Sequence, residues 1–119
     1  MVILGRVNDT DEATAISRRF RGYLPVVVDV ETAGFNQQTD ALLEIAALVL
    51  AQDSDGRIVL GEAVDCHVQP FEGANLDPKA LAFNGIDPHH PFRDALPEAK
   101  ALDLVFKPIR AAVKAAGCK

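Results

Sequence analysis

Three things are scarce in this sequence: cysteine, long hydrophobic runs and positive charge. The two cysteines, Cys66 and Cys118, are far apart and lack the spacing of metal ligands, which predicts two reduced thiols in a cytoplasmic protein. No apolar run approaches the roughly 20 residues that cross a bilayer. Acidic residues follow the first few positions at once, unlike the layout of a signal peptide. These absences predict a protein without a membrane partner.

The 119 residues carry a net charge of −5, which argues against binding nucleic acid through the whole surface. An acidic chain remains compatible with an enzyme that meets phosphates through metal ions held by carboxylates. Positive charge is concentrated in Arg18, Arg19 and Arg21. Taken alone, such a cluster is more often a solvated face than a binding site.

The first half of the chain alternates β-branched runs with turn signals. Residues 1–17 are predicted to form a flexible tail, with a short helix over 14–21 carrying the arginines. Residues 24–30 are a continuous β-branched run, which predicts a strand buried on both faces at the centre of a sheet. A second strand is predicted over 45–50 and a third over 57–68, bulged at Gly61 and joined by a hairpin turn at 53–56. Three strands with short links predict an antiparallel meander.

The second half is helical. Asp77, Pro78 and Gly85 are typical of the cap, first turn and left-handed stop of a short helix. A 3.6-residue apolar period predicts a long amphipathic helix from Pro97 to Gly117, which Pro108 is expected to kink.

A central strand requires a neighbour on each side, and the meander supplies only one. We therefore interpret residues 18–119 as the N-terminal part of a single α/β domain that is truncated in this sequence.

Two carboxylates follow the predicted central strand. Asp29 and Glu31 are two residues apart, a spacing that places strand side chains on one face. Carboxylates so close repel each other unless a cation or proton lies between them, and oxygen ligands suit magnesium or manganese. The alternative, that the two acids merely end a strand and face water, is the usual reading of an isolated pair of this kind.

The surrounding residues make the pattern more specific. Residues 28–35, Val-Asp-Val-Glu-Thr-Ala-Gly-Phe, resemble the first motif of the DEDD 3′→5′ exonuclease superfamily. Residues 19–23, 39–47, 73–76 and 80–88 extend the resemblance to the branch whose members trim the 3′ ends of transfer and other stable RNAs. It runs from about residue 18 to the C-terminus and covers the first half of such a protein. It implies a ribonuclease H-like α/β fold, of which this chain supplies the meander and the first helices.

The resemblance also implies roles for individual residues. Asp29 and Glu31 would bind two magnesium ions, for which manganese can substitute, and Thr32 would help to bind the substrate. Phe35 and Phe83 match positions that stack on 3′-terminal bases, although helical spacing alone favours Phe83 as a core residue. Basic positions that hold RNA for the partner subunit of a homodimer are matched by Arg19, Arg21 and Lys114.

The implied function is hydrolytic removal of 3′-terminal nucleotides from RNA, with single-stranded DNA as a second substrate. Lys79 departs from the family, which usually has glutamate there, and Pro108 stands where a β-branched residue is common. The remaining carboxylates and the general-base histidine lie outside this chain, and His67, His89 and His90 are poor substitutes. The chain alone is therefore expected to be inactive.

Two alternatives remain open at this point. One is another enzyme of the superfamily, either a proofreading exonuclease of DNA polymerase or an oligoribonuclease. The other is a truncated, non-catalytic module that binds nucleic acid or protein.

Overall fold

The computed structural model describes residues 14–119, which form two compact units. The first unit contains residues up to Val27, together with Ala47–Val64 and Phe106–Lys119; the second contains Val28–Ala46 and Asp65–Val105. No helix among the described residues combines the length and apolar character that a bilayer crossing requires.

Helix α1 (Ala15–Arg19) is the first element described. The side chain of Thr14 accepts a hydrogen bond from the Ser17 amide at 3.2 Å, and its hydroxyl donates to the Ala116 carbonyl at 2.7 Å. Ile16 and Ser17 are buried. The tail predicted over 1–17 therefore extends too far, because its last residues form a capped and packed helix; residues 1–13 lie outside the described part of the chain.

The sheet has three strands in the order β1–β2–β3, with β1 at Val26–Thr32, β2 at Leu42–Gln52 and β3 at Ile58–His67. Hydrogen bonds join Pro25 to Leu50 and Ala33 to Ala41, so the partner's number falls as the chain advances, which is the antiparallel sense. The bonds from Leu43 to Val68 and from Asp53 to Arg57 show the same sense for β2 and β3. The predicted meander is confirmed.

The predicted burial of the first strand on both faces is wrong for the described residues. Strand β1 lies at an edge of the sheet. Val27, Val28 and Val30 are 53%, 46% and 45% exposed. Strand side chains project from the two faces of a sheet, and the described segments leave these three valines partly uncovered. No strand among residues 14–119 pairs with the outer edge of β1 either.

The β2–β3 hairpin turns where the sequence predicts it. The Asp53 amide donates to the Arg57 carbonyl at 2.9 Å, and Gly56 has a φ of +82°. Gly61, the predicted bulge, lies within β3; a Cβ built there would come within 2.6 Å of the Val49 carbonyl oxygen. Close approach of two backbones therefore explains this glycine.

Both predicted helices are present. Helix α2 (Pro78–Asn84) begins after Asp77, whose side chain accepts from the Lys79 amide, and ends at Gly85 with a φ of +72°. Helix α3 (Glu98–Ala115) continues through Pro108. Its apolar stripe includes the buried residues Ala101, Val105 and Ile109.

The core of the second unit forms around the start of β2. Ala33, Ala41 and Leu43 are fully buried, and partly buried side chains pack against them: Ala74, Leu76, Leu81 and Ile86. This cluster joins the end of β1 to α2 and the segment before it.

Leu43 should therefore be much more important for stability than an exposed leucine in a strand. Leu43→Ala should lower the free energy of unfolding by about 3 kcal/mol, because it leaves a cavity in a closed core. Leu60→Ala, at a residue 75% exposed in β3, should change it by less than about 0.5 kcal/mol. Urea denaturation of both variants measures this difference; equal losses would contradict the packing described here.

Candidate functional site

The two carboxylates lie at the C-terminal end of β1, within the second unit. Asp29 is exposed and Glu31 is partly buried. Neither carboxylate makes a hydrogen bond or ion pair with another described residue, whereas other acids, such as Asp40, do. Two unpaired carboxylates at strand spacing fit an oxygen-preferring divalent cation.

Additional ligands would be needed to complete a metal site. No group of three or more His, Cys, Asp or Glu side chains suited to a metal ion occurs among residues 14–119. Asp29 and Glu31 therefore do not form a complete metal site with the other described residues, and their role as metal ligands stays a prediction.

The loop after β1 is held by its own hydrogen bonds. The Thr32 hydroxyl donates to the Gly34 carbonyl at 2.8 Å. The amides of Thr39 and Asp40 both donate to the Asn36 carbonyl, at 3.2 and 2.8 Å. The hydroxyl proton of Thr32 thus shapes the turn, and its predicted contact with substrate remains a prediction.

Asp40 closes this loop. Its carboxylate accepts hydrogen bonds, each at 2.9 Å, from the Asn36 amide, the Thr39 hydroxyl and the Asn75 side chain. A Cβ built on Gly34 would lie 2.1 Å from Asp40 Oδ2, so the carboxylate occupies the space that a side chain at position 34 would need.

Helix α2 and the segment before it are bonded to the same loop. The Asn75 amide donates to the Thr39 carbonyl at 2.7 Å, and the Asp77 amide donates to the Ala33 carbonyl at 2.8 Å. At the far end of α2, the Asn84 side chain donates to the Thr32 carbonyl at 3.1 Å. The C-terminal end of α2 therefore lies beside the end of β1.

Two phenylalanines project from these segments into solvent. The Phe35 side chain, in the loop, is fully exposed, and Phe83, on α2, is 92% exposed. The apolar contact of α2 with the core is made by Leu81. The core role that helical spacing favours for Phe83 is therefore wrong, because the helix turns a different face inward.

Lys79 shares a face of α2 with Phe83, since residues four apart in a helix are neighbours. Its side chain is exposed. The ammonium group at this position therefore lies on the same face of the helix as the exposed ring.

The predicted basic residues all belong to the first unit. Arg19 donates to the Gly56 carbonyl at 2.7 Å, and its guanidinium carbon lies 5.8 Å from the centre of the Phe20 ring. Arg21 has a φ of +59°, and Lys114 is exposed in the last turn of α3. The Thr14–Ala116 hydrogen bond joins the start of α1 to the residue after α3, so it connects the two segments that carry these basic residues.

The histidines make local contacts. Nδ1 of His67 lies 3.3 Å from Glu44 Oε2 on the neighbouring strand, a close approach without hydrogen-bond geometry. Nδ1 of His90 accepts from the Phe92 amide at 3.1 Å, and the His89 amide donates to Asp87. Both cysteines are free, and burial raises the pKa of the Cys66 thiol.

Three residues of this site have no role in the sequence-based prediction: Asp40, Asn75 and Asn84. Each positions the carboxylate strand or a phenylalanine segment through a hydrogen bond. Asn84 has a local signal, because its side chain accepts from the Ile86 amide at 3.0 Å in the two-residue turn that asparagine favours. The Asp40–Asn75 bond joins residues distant in sequence, so no short pattern predicts it.

Comparison with known proteins identifies the family. The sequence pattern of the exonuclease family RNase_T matches residues 26–113. The chain belongs to this exonuclease family. The matched residues include the end of β1, the loop that follows it and α2. Every residue of the second unit lies within the matched range.

Curated relatives of the exonuclease chain are named ribonuclease T. The protein from Yersinia enterocolitica is 58% identical over 110 residues, which are 92% of this chain and 51% of that protein. The protein from Cronobacter sakazakii is 55% identical over 112 residues, 94% of this chain and 50% of that protein. The chain thus spans about half the length of the curated relatives it matches.

A solved structure supports the fold of the exonuclease chain. E. coli exonuclease I, solved in complex with a dT13 oligonucleotide, matches 66% of this chain and 16% of its own, with a TM-score of 0.53 and 24% identity. The mixed α/β arrangement predicted from the sequence, part of a ribonuclease H-like exonuclease fold, is confirmed.

The Asp40 turn should persist in mild acid. Hydrogen bonds from the Asn36 amide and the Asn75 side chain, with a smaller contribution from Thr39, hold the pKa of Asp40 below its ordinary 3.8, against desolvation. Because the folded pKa is lowered, the carboxylate stabilises the fold above the unfolded pKa, and this contribution is lost as pH falls through the folded pKa.

An NMR titration of the Asp40 carboxyl carbon should therefore give a midpoint below 3.8. In an Asn75→Ala variant the midpoint should rise toward that ordinary value, since one donor is removed. A wild-type midpoint at or above 3.8 would show that these donors do not face an ionised carboxylate.

Proposed function

We propose that the full-length protein is a metal-dependent 3′→5′ exoribonuclease that trims the 3′ ends of transfer and other stable RNAs, with single-stranded DNA as a second substrate. One observation carries the proposal: two carboxylates without a partner among residues 14–119 and two exposed phenylalanines belong to segments that are hydrogen-bonded to each other in one unit. The names of the relatives, ribonuclease T, support RNA as the substrate.

In this proposal Asp29 and Glu31 supply oxygen ligands to two magnesium ions, or to manganese in their place. Bound divalent ions lower the pKa of an attacking water and neutralise charge on the leaving oxygen of a phosphodiester. The exposure of Asp29 favours this role, as does the finding that neither carboxylate is paired with another residue in the described part of the chain. The remaining ligands and a general-base histidine are assigned to the part of the relatives' length that this chain does not span.

Phe35 and Phe83 receive the 3′-terminal bases by stacking, which holds single-stranded ends without requiring one sequence. The exposure of both rings favours this role, because burying a phenylalanine normally stabilises a protein and leaving two exposed forgoes that gain. Lys79, beside Phe83, would present a hydrogen-bond donor to a base or phosphate where a glutamate would present an acceptor.

Arg19, Arg21 and Lys114 are proposed to hold RNA for the partner subunit of a cytoplasmic homodimer. The clustering of Arg19 and Arg21 in the sequence of an otherwise acidic chain, and the exposure of Lys114, support the assignment, since phosphates attract basic side chains.

Removing one metal ligand should abolish turnover. In the full-length protein with magnesium, Asp29→Asn should lower kcat on single-stranded RNA by about a thousandfold, since ligand loss forfeits several kcal/mol of transition-state stabilisation. RNA binding should remain. Asp65→Asn, an equally exposed aspartate on β3, serves as the control and should keep normal turnover. Normal cleavage by Asp29→Asn would refute the metal role.

Removing either exposed ring should weaken binding of the RNA end. Phe35→Ala and Phe83→Ala should each raise KM for single-stranded RNA by about tenfold, the effect of losing one stacked base. Phe92→Ala is the matched control, because Phe92 is 85% exposed in the same unit but is not assigned to the site. If all three variants changed KM equally, the stacking role would be wrong.

The choice of substrate separates the proposal from its alternatives. Cleavage of transfer RNA, short oligoribonucleotides and mismatched DNA ends by the full-length protein should be fastest on the transfer RNA. A preference for mismatched DNA would favour a proofreading enzyme, and a preference for the shortest RNAs would favour an oligoribonuclease. Binding without cleavage of any of them would favour the non-catalytic module.

A further inference from the structure

Asp40 connects the two segments that carry the exposed phenylalanines. One carboxylate oxygen accepts from the Asn36 amide, directly after Phe35, and the other accepts from the Asn75 side chain. The backbone repeats both connections: the Asp40 amide donates to the Asn36 carbonyl at 2.8 Å, and residues 40 and 75 form a parallel bridge.

Asn75 lies just before helix α2, which carries Phe83. Two residues after Asn75, Asp77 caps α2, and its amide is bonded to the Ala33 carbonyl at 2.8 Å. Helix α2 has seven residues, and its exposed face carries Phe83. A change at the Asp40–Asn75 contact therefore acts on both phenylalanine segments.

The side chain of Phe35 makes no contact that could hold it in place, because it is fully exposed. Its average position depends on the backbone of its loop. An exposed loop that must become ordered on binding loses affinity through conformational entropy, and a loop held in advance avoids that loss.

We propose that Asp40 is a positioning residue, which fixes the Phe35 loop against the α2 segment so that both rings are placed for an RNA 3′ end before it binds. The proposal rests on the function proposed above for Phe35 and Phe83. It assigns Asp40 no contact with RNA or metal.

The structural part of the proposal is tested by fluorine NMR on full-length protein labelled with fluorophenylalanine. Asp40→Ala should shift or broaden the Phe35 and Phe83 resonances and leave Phe92 unchanged. Asp53→Ala is the matched control, because the Asp53 carboxylate closes the β2–β3 turn by accepting from the Asp55 and Arg57 amides at 2.9 Å and accepts no hydrogen bond from the segments that carry Phe35 and Phe83. Unmoved Phe35 and Phe83 resonances in Asp40→Ala would overturn the proposal.

The functional part is tested by separating KM from kcat on single-stranded RNA. Asp40→Ala should raise KM by about tenfold and change kcat by less than about twofold, since it disorders a stacking residue without touching the metal ligands. Asp40→Asn should keep a KM near the wild-type value, because an amide can accept from the Asn36 amide and donate to a flipped Asn75 side chain. A purely structural role would lower kcat and stability together without this rescue.

A second variant tests the same contact should Asp40→Ala fail to fold. Gly34→Ala places a methyl group where the Asp40 carboxylate lies. It should therefore raise KM by about tenfold and change kcat by less than about twofold, as predicted for Asp40→Ala. An unchanged KM in a folded Gly34→Ala variant would contradict the positioning role.

The outcomes distinguish this proposal from the proposed function. If Phe35→Ala raises KM but Asp40→Ala does not, the positioning role is overturned and the stacking role stands. If Phe35→Ala leaves KM unchanged while Asp40→Ala moves the Phe35 resonance, the stacking function fails and placement for an RNA end fails with it.

Discussion

The second unit depends on a single buried residue with a hydrogen bond on each side. The Ala33 amide donates to the Ala41 carbonyl at 2.8 Å, which turns the chain from β1 into β2. The Ala33 carbonyl accepts from the Asp77 amide at 2.8 Å, which fixes the start of α2 at the same point. Because the carboxylates precede Ala33 in the chain and the two phenylalanines lie on the segments joined to it, this junction places all four side chains in one region.

Burial alone does not explain the placement of Phe35 and Phe83. Three of the seven residues in the core cluster around Leu43 are alanines, while these two phenylalanines remain in solvent. Burying a phenylalanine gives far more hydrophobic stabilisation than burying an alanine, so an arrangement that exposes both rings is explained better by binding than by folding. The same reasoning applies to Asp29 and Glu31, because within residues 14–119 neither carboxylate makes hydrogen bonds like those of Asp40.

The features that the sequence predicts correctly are determined by residues close together in the chain. The cap at Asp77, the left-handed stop at Gly85 and the turn at 53–56 are each determined within a few positions. The carboxylate pair is also local, although its roles came from the family resemblance. The Asp40–Asn75 hydrogen bond joins residues 35 apart, and the exposure of Phe83 and of the β1 valines depends on which segments pack against them. No local pattern contains that information.

The central claim is that metal ligands and base-stacking rings belong to one site. It is tested most directly by adding manganese to the full-length protein labelled with fluorophenylalanine, because a paramagnetic ion broadens the signals of nearby nuclei. The account predicts strong broadening of Phe35 and Phe83, weaker broadening of Phe92, and loss of this pattern in a Glu31→Gln variant. Sharp Phe35 and Phe83 signals at saturating manganese, or the same broadening in Glu31→Gln, would contradict it.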